Sequence, residues 1–486
     1  MKISKKVMAL LLVLVMMVSL VACKDKSNET SKNESPTTEA TKGAEPTKET
    51  AEPTTEPTTE PTETAEPTPE LPDSVVTGDI SRDDAFYVYC WNGDVKNNIL
   101  KFFEKYYPED AARIVYVDTG GSNFYQQKID PILADPTNPQ YPDLFAVEAD
   151  YLLKYTNSED TLDVATLGFT EADMANMYPY TVQAATADGK VKALSWQATP
   201  GAMMYRRSLA KKYLGTDDPA EVQKYFSDWD TMLQSGKDIL EKSGGATKLF
   251  SGVDDVKRVY QASRHNAWYD ENDTIVVEDT MLSYMDYAKA LYDNNLTNNT
   301  SQWSTDWAAN VTNDNTFAYM GCTWFLHWTL KANSGGTVPG EGTYGDWAMT
   351  AGPQEYYWGG TWLAASKGCS DTDLAAKIMR AATVDTKMMK EMCVETLDYV
   401  NNKQAIAELI AAGEGNFDFL AGQNFLEYFS PLADAIELPA MSAEDFYITQ
   451  KFDDQVTEFV NGNKTKDEAL EEFKKNVIDA YPYLSK

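Results

Sequence analysis

The chain is poor in the residues on which most enzyme and metal chemistry rests. Two histidines, His265 and His327, serve 486 residues, which argues against a zinc site of the usual composition. Five cysteines occur, and none falls in a CxxC or similar metal spacing. There is no nucleophile elbow, phosphate loop or metalloprotease helix motif. Cations are scarce too: 42 Lys and Arg against 75 Asp and Glu leave a formal charge of −33. That balance argues against nucleic acid and polyanions as bulk partners. The expectation is a chain with no metal, no cofactor and no catalytic residues.

Aromatic residues, in contrast, are plentiful, with 11 Trp and 28 Tyr. They crowd the stretch Tyr344–Met379, around which the chain is organised. There Gly345–Met349 reads as a short strand, and Gly352-Pro353 breaks it. Tyr356-Tyr357-Trp358, Gly359-Gly360 and the apolar run Thr361–Ala365 follow, and Asp371 or Thr372 is placed to cap the next helix. Two glycines among aromatics allow backbone to approach a flat group closely.

The first 22 residues read as a leader. Lys2, Lys5 and Lys6 precede an apolar run, Val7–Leu20, too short for a membrane span, and Leu20-Val21-Ala22-Cys23 follows. That tetrad resembles a bacterial lipobox, which implies cleavage before Cys23, lipidation of Cys23 and anchoring at the outer face of the cell membrane. Residues 23–80 read as a tether. The tract from Lys24 to Asp73 is rich in Thr, Glu and Pro and has no aromatic residue, so it cannot bury a core. Cys90, Cys322, Cys369 and Cys393 are expected as mostly buried or free thiols, with one disulfide left open.

From about Arg82 the pattern alternates. Phe86–Trp91, Arg113–Val117 and Pro142–Val147 read as buried strands, with helices between them. This is α/β order with a parallel sheet, whose ligands sit at the carboxyl ends of the strands. Those ends carry Asn92 and Asp94, Gly120, and Glu148 and Asp150. Lys190–Tyr205 reads as a strand crossing to a second, largely helical lobe, with Pro200-Gly201 as a hinge element. The chain returns through Tyr344–Met379 and ends in amphipathic helices, the last over Phe452–Ala480.

Five segments in order resemble the carbohydrate-binding class of extracellular solute-binding proteins, which includes maltose-binding protein. They are Trp91–Asp94, Pro142–Phe145 with Asp150, Lys190–Tyr205, Ala318–Trp324 and Gly359–Met379. The resemblance implies a two-lobe α/β fold with hinge crossovers and a helical carboxyl-terminal part. Lobe 1 is placed at 81–199 and 350–386, and lobe 2 at 200–349 and 387–486. It implies a monomer that closes on an oligosaccharide and delivers it to the membrane permease of an ATP-driven importer. Thr199 and Val147 stand where maltose-binding protein has an acidic and an aromatic ligand, which speaks against maltose itself.

Sugars present apolar faces and rows of hydroxyls, which suit aromatic planes and carboxylates or amides. Trp196, Trp324 and Trp358 are therefore the stacking candidates. Asn92, Asp94, Glu148, Asp150 and Gln197 are the polar ones, and Gly120 and Gly360 give close backbone approach. Asp306, Trp303 and Trp307 form an aromatic loop suited equally to lining a cleft or packing between lobes. The rivals are the same fold with another polar solute or a peptide, a surface adhesin for polysaccharide, and a secreted glycoside hydrolase. A hydrolase needs two carboxylates roughly 5–10 Å apart.

Overall fold

A computed structural model describes residues 71–486; Cys23, the leader and most of the tether lie outside the described residues. Two sheets organise them. The first has six strands in the order β1-β3-β2-β4-β11-β7, and the second has three in the order β10-β8-β9. In sequence these are β1 Val75–Thr77, β2 Phe86–Cys90, β3 Ile114–Asp118, β4 Leu144–Glu148, the small ribbon β5 Thr186–Ala187 and β6 Lys190–Val191, β7 Leu194–Ser195, β8 Gly201–Arg206, β9 Ala318–Cys322, β10 Trp347–Thr350 and β11 Thr361–Ala365.

The centre of the first sheet is parallel: β2 pairs with β3 and with β4, Tyr89 opposite both Val117 and Phe145. Phe86–Cys90 is buried throughout. Strands covered on both faces need this unbroken apolar, β-branched and aromatic content. The return strand β11 runs antiparallel between β4 and β7, with Thr361 opposite Glu148. Asp371 then accepts the Leu374 N–H at 3.0 Å and starts the helix Thr372–Thr383. The second sheet is antiparallel throughout.

The two crossings between the sheets lie against each other. The Gly201 N–H donates to the Tyr356 carbonyl at 2.7 Å, and the Trp358 N–H to the Thr199 carbonyl at 3.1 Å. The Thr199 hydroxyl donates to the Gly359 carbonyl at 2.9 Å.

Three findings differ from the expectations. Val75–Thr77, placed in the tether, forms a strand antiparallel to β3. Backbone pairing at a sheet edge needs no buried side chain, so hydropathy gives no sign of it. The Phe452–Ala480 helix is two helices, Asp445–Val460 and Lys466–Ala480. Gly462 at φ +77° breaks the run, and Thr465 with Glu468 forms a capping box that restarts it. The helix Thr386–Thr396 packs on the first sheet's side, although most of it was assigned to lobe 2. Glu391 accepts from Lys105 at 2.7 Å and from Tyr106 on the helix Lys101–Tyr106. Cys90, Cys322, Cys369 and Cys393 are all free thiols.

Candidate functional site

The carboxyl end of β4 meets the second half of the chain through one charged contact. Glu148 accepts the Asp150 N–H at 2.7 Å and caps the tight turn Ala149–Tyr151. This turns the Asp150 carboxylate outward to the helix Lys257–Gln261, where Arg258 donates to it twice, at 2.7 and 2.5 Å. Planar, two-point pairing of this kind fixes geometry as well as charge. The Arg258 guanidinium also lies 5.7 Å from the Trp358 ring.

An indole cluster adjoins this pair. Trp303 and Trp324 stack with centroids 6.2 Å apart and planes inclined by 27°. Trp358 lies 5.1 Å from Trp324 and 5.6 Å from Trp303. The Trp324 indole N–H donates to the Trp358 carbonyl at 2.9 Å, which locks one ring to the backbone carrying the other. Trp303 is 53% exposed and holds φ +71°, an unusual conformation for a bulky residue. Backbone strain of this kind clusters at functional sites, which makes the exposed Trp303 indole a candidate.

The glycine pair makes these approaches possible. A Cβ on Gly359, at φ +67°, would stand 2.9 Å from Glu148 Oε1 and 3.4 Å from Trp324 Nε1. One on Gly360, at φ +123°, would stand 3.0 Å from the Trp362 ring. Trp324 and Trp362 are the flat groups that lie against Gly359-Gly360.

Burial and the Asp150 charge push Glu148 up to about 8, and Arg258 opposes the shift. Tyr151 Oη, Arg258 Nε and both polar atoms of the Gln302 side chain are buried and make no hydrogen bond within the protein. Buried polar groups are rarely left so.

Glu148, Asp150, Trp324, Trp358 and the Gly359-Gly360 turn come together as candidates. Others are placed differently. Trp196 is 0% exposed, so its faces belong to the core. Gln197 is buried and donates to Asp398 at 2.9 Å. Asp94 accepts from Thr361 at 2.8 Å and from Asn98 at 2.7 Å, tying the β2 loop to the start of β11. Asn92 accepts the Asp94 N–H at 2.8 Å in a turn. Gly120 lies beside Pro72, two strands from β4. Trp307 is buried, its indole N–H on Asp255 at 2.8 Å. Arg258, Tyr151 and Gln302 escaped the sequence reading. Arg258 lies inside an ordinary helical pattern, and only its partner across the fold marks it.

Comparison with known proteins gives the context. Residues 101–414 match a family described as bacterial extracellular solute-binding protein. No curated protein matches the sequence. Among solved structures, one described as extracellular solute-binding protein family 1 is 18% identical with TM-score 0.68, over 80% of this chain and 97% of that one. The transporter-associated binding protein of B. animalis subsp. lactis, in complex with beta-1,6-galactobiose, is 18% identical with TM-score 0.63, over 82% and 97%. The sugar-binding protein MalE of Xanthomonas citri is 14% identical with TM-score 0.63, over 81% and 96%. At such identities the likeness is one of fold.

Proposed function

This chain belongs to the bacterial extracellular solute-binding proteins, and from that premise we propose that it captures an oligosaccharide between its two halves for an ATP-driven importer. The observation that carries the reading is the indole cluster of Trp303, Trp324 and Trp358 beside the Asp150–Arg258 contact. Indole planes suit the apolar faces of sugar rings, and the adjoining carboxylates and orphaned polar atoms suit hydroxyls. Structural neighbours described as complexes with galactobiose and with lacto-N-biose support the same ligand class.

Asp150 comes from the half built on the first sheet, and Arg258, Trp303 and Trp324 from the half built on the second. A sugar seated on one half gains contacts to the other, and that differential affinity favours closure. The lobes are taken as 81–199 with 350–386, and 200–349 with the carboxyl-terminal helices. The helix Thr386–Thr396 is assigned to the first of them on its packing. The lipobox-like Leu20-Val21-Ala22-Cys23 supports anchoring by lipid outside the cell, and the chain is taken to act as a monomer. No helix among the described residues is long and apolar enough to cross a membrane.

Thermal unfolding against a panel of neutral oligosaccharides, peptides and polyamines tests this reading. The expected result is stabilisation by at least one glycan, about 2.7 kcal/mol at a hundredfold excess over Kd, with no reducing ends released. Release of reducing ends would assign a hydrolase instead. Stabilisation by peptides or polyamines alone would move the ligand to another class.

A further inference from the structure

Two cations beside the indole cluster, Arg258 and Lys257, each face a carboxylate. Arg258 is held two-point by Asp150. Its neighbour Lys257 lies 3.8 Å from Asp453, which also accepts from Gln261 at 3.0 Å. Glu148 is buried beside Asp150, and burial with that charge pushes its carboxyl up to about 8, Arg258 opposing the shift. Among the buried polar atoms without a protein partner are Tyr151 Oη, close to Glu148, the Gln302 amide, next in sequence to Trp303, and Arg258 Nε. Two of these groups are neutral, and the third belongs to a guanidinium whose charge is already met.

We propose that the site takes an uncharged glycan, and that Asp150 sets this specificity by occupying Arg258, so that a uronate or sulfate finds no free cation. The inference rests on the glycan reading above and narrows it. A carboxylate or sulfate brought here would lose its water without gaining a counter-charge and would meet Asp150 and Asp453 as like charges. A hydroxyl has no such cost and satisfies donors and acceptors that are otherwise unmet. Discrimination thus comes from a repulsive arrangement as well as from contacts.

The proposal predicts what each half of the pair would do alone. In Asp150→Asn the guanidinium is released and becomes an anion site. In Arg258→Gln, the Asp150 carboxylate is left without its cation and becomes a cation site, with the buried Glu148 carboxyl beside it as a further oxygen ligand. The probes are inorganic sulfate and calcium, with sodium chloride at matched ionic strength as reference, on the full chain by thermal unfolding. Sulfate should raise the Tm of Asp150→Asn by roughly 1–3 °C beyond its effect on the parent chain, and the gain should vanish in the Asp150→Asn/Arg258→Gln double variant. Calcium should raise the Tm of Arg258→Gln in the same sense.

A parallel arm sets neutral oligosaccharides against oligogalacturonates and sulfated oligosaccharides on the parent chain, with stabilisation by neutral glycans expected. If the acidic glycans stabilise the parent chain instead, the inference falls while the glycan reading survives. If no glycan stabilises it, the glycan reading falls and takes the inference with it. Absence of the sulfate gain in a folded Asp150→Asn overturns the role given to Asp150. So does failure of both single variants to fold, since the pair would then be a structural strut.

Discussion

Trp303 holds a left-handed backbone conformation that costs a bulky residue free energy, and Gly359 holds one that only glycine adopts freely. Beside Trp303, Trp324 is half-buried and Trp358 nearly buried. Truncating either to Ala is expected to weaken oligosaccharide binding by about 1–3 kcal/mol, the scale of a buried aromatic anchor. Titration calorimetry checks this, and unchanged affinity in both variants would remove the cluster from the site. Gly359→Ala is a finer probe, because its methyl group would press on Glu148 and Trp324. It should lower stability by about 1–3 kcal/mol and weaken binding, as read by urea unfolding and calorimetry. At this scale the sequence was only half legible. Spacing placed Glu148 and Asp150 at a strand end and glycines beside flat groups. It gave no means of separating Trp196, which is sealed in the core, from Trp324, which is half-buried. Nor did it expose Arg258, since a long-range partner leaves no local pattern.

Among elements, the buried strands were the legible part. Continuous apolar runs such as Phe86–Cys90 and Thr361–Ala365 have one reading once turns bound them, and both appear as strands. Thirty-odd residues of helical spacing after Asp445 were less clear, because one glycine interrupts a pattern that otherwise continues. The crossing at Pro200-Gly201 now has a physical basis. A Cβ on Gly201 would fall 2.2–2.4 Å from the Tyr356 ring, whose hydroxyl donates to the Gly321 carbonyl at 2.6 Å and to the Ala202 carbonyl at 3.1 Å. Gly201→Ala must therefore shift Tyr356, which joins both crossings to the second sheet. The expected cost is about 1–3 kcal/mol of overpacking, with a changed distribution between open and closed forms. Urea unfolding reads the first effect and small-angle scattering the second; an unperturbed Tm would show that the crossings tolerate movement here.

For the whole molecule the leading variable is pH. Burial pushes Asp255 and Asp398 up to about 7, and burial with the Asp150 charge pushes Glu148 up to about 8. These groups bind protons in the folded chain that the unfolded chain, titrating near 4, does not, so each adds stability as pH falls from about 8 towards 4. His327 acts in the opposite sense. Burial pushes it down to about 3, and its two ring nitrogens make no hydrogen bond, so stability is lost as pH falls from 6.5 towards 3. Burial raises Asp94 and Asp453 as well, so the carboxylates outweigh the one imidazole, and the net charge of −33 shrinks on acidification. Calorimetric Tm should therefore be higher at pH 5.5 than at pH 7.5. Replacing His327 with Leu should enlarge that gain; a Tm that falls over this interval would contradict the assignment of buried, protonated carboxylates.

Closure of the two halves on an uncharged sugar between indole faces is open to direct observation in a crystal structure of the full chain grown with an oligosaccharide that stabilises it. The expected result is a sugar ring stacked on Trp303, Trp324 or Trp358, with hydroxyls on Glu148, Tyr151 or Gln302 and the Asp150–Arg258 pair intact. A glycan bound elsewhere, or one whose charged group displaces Asp150 from Arg258, would contradict it.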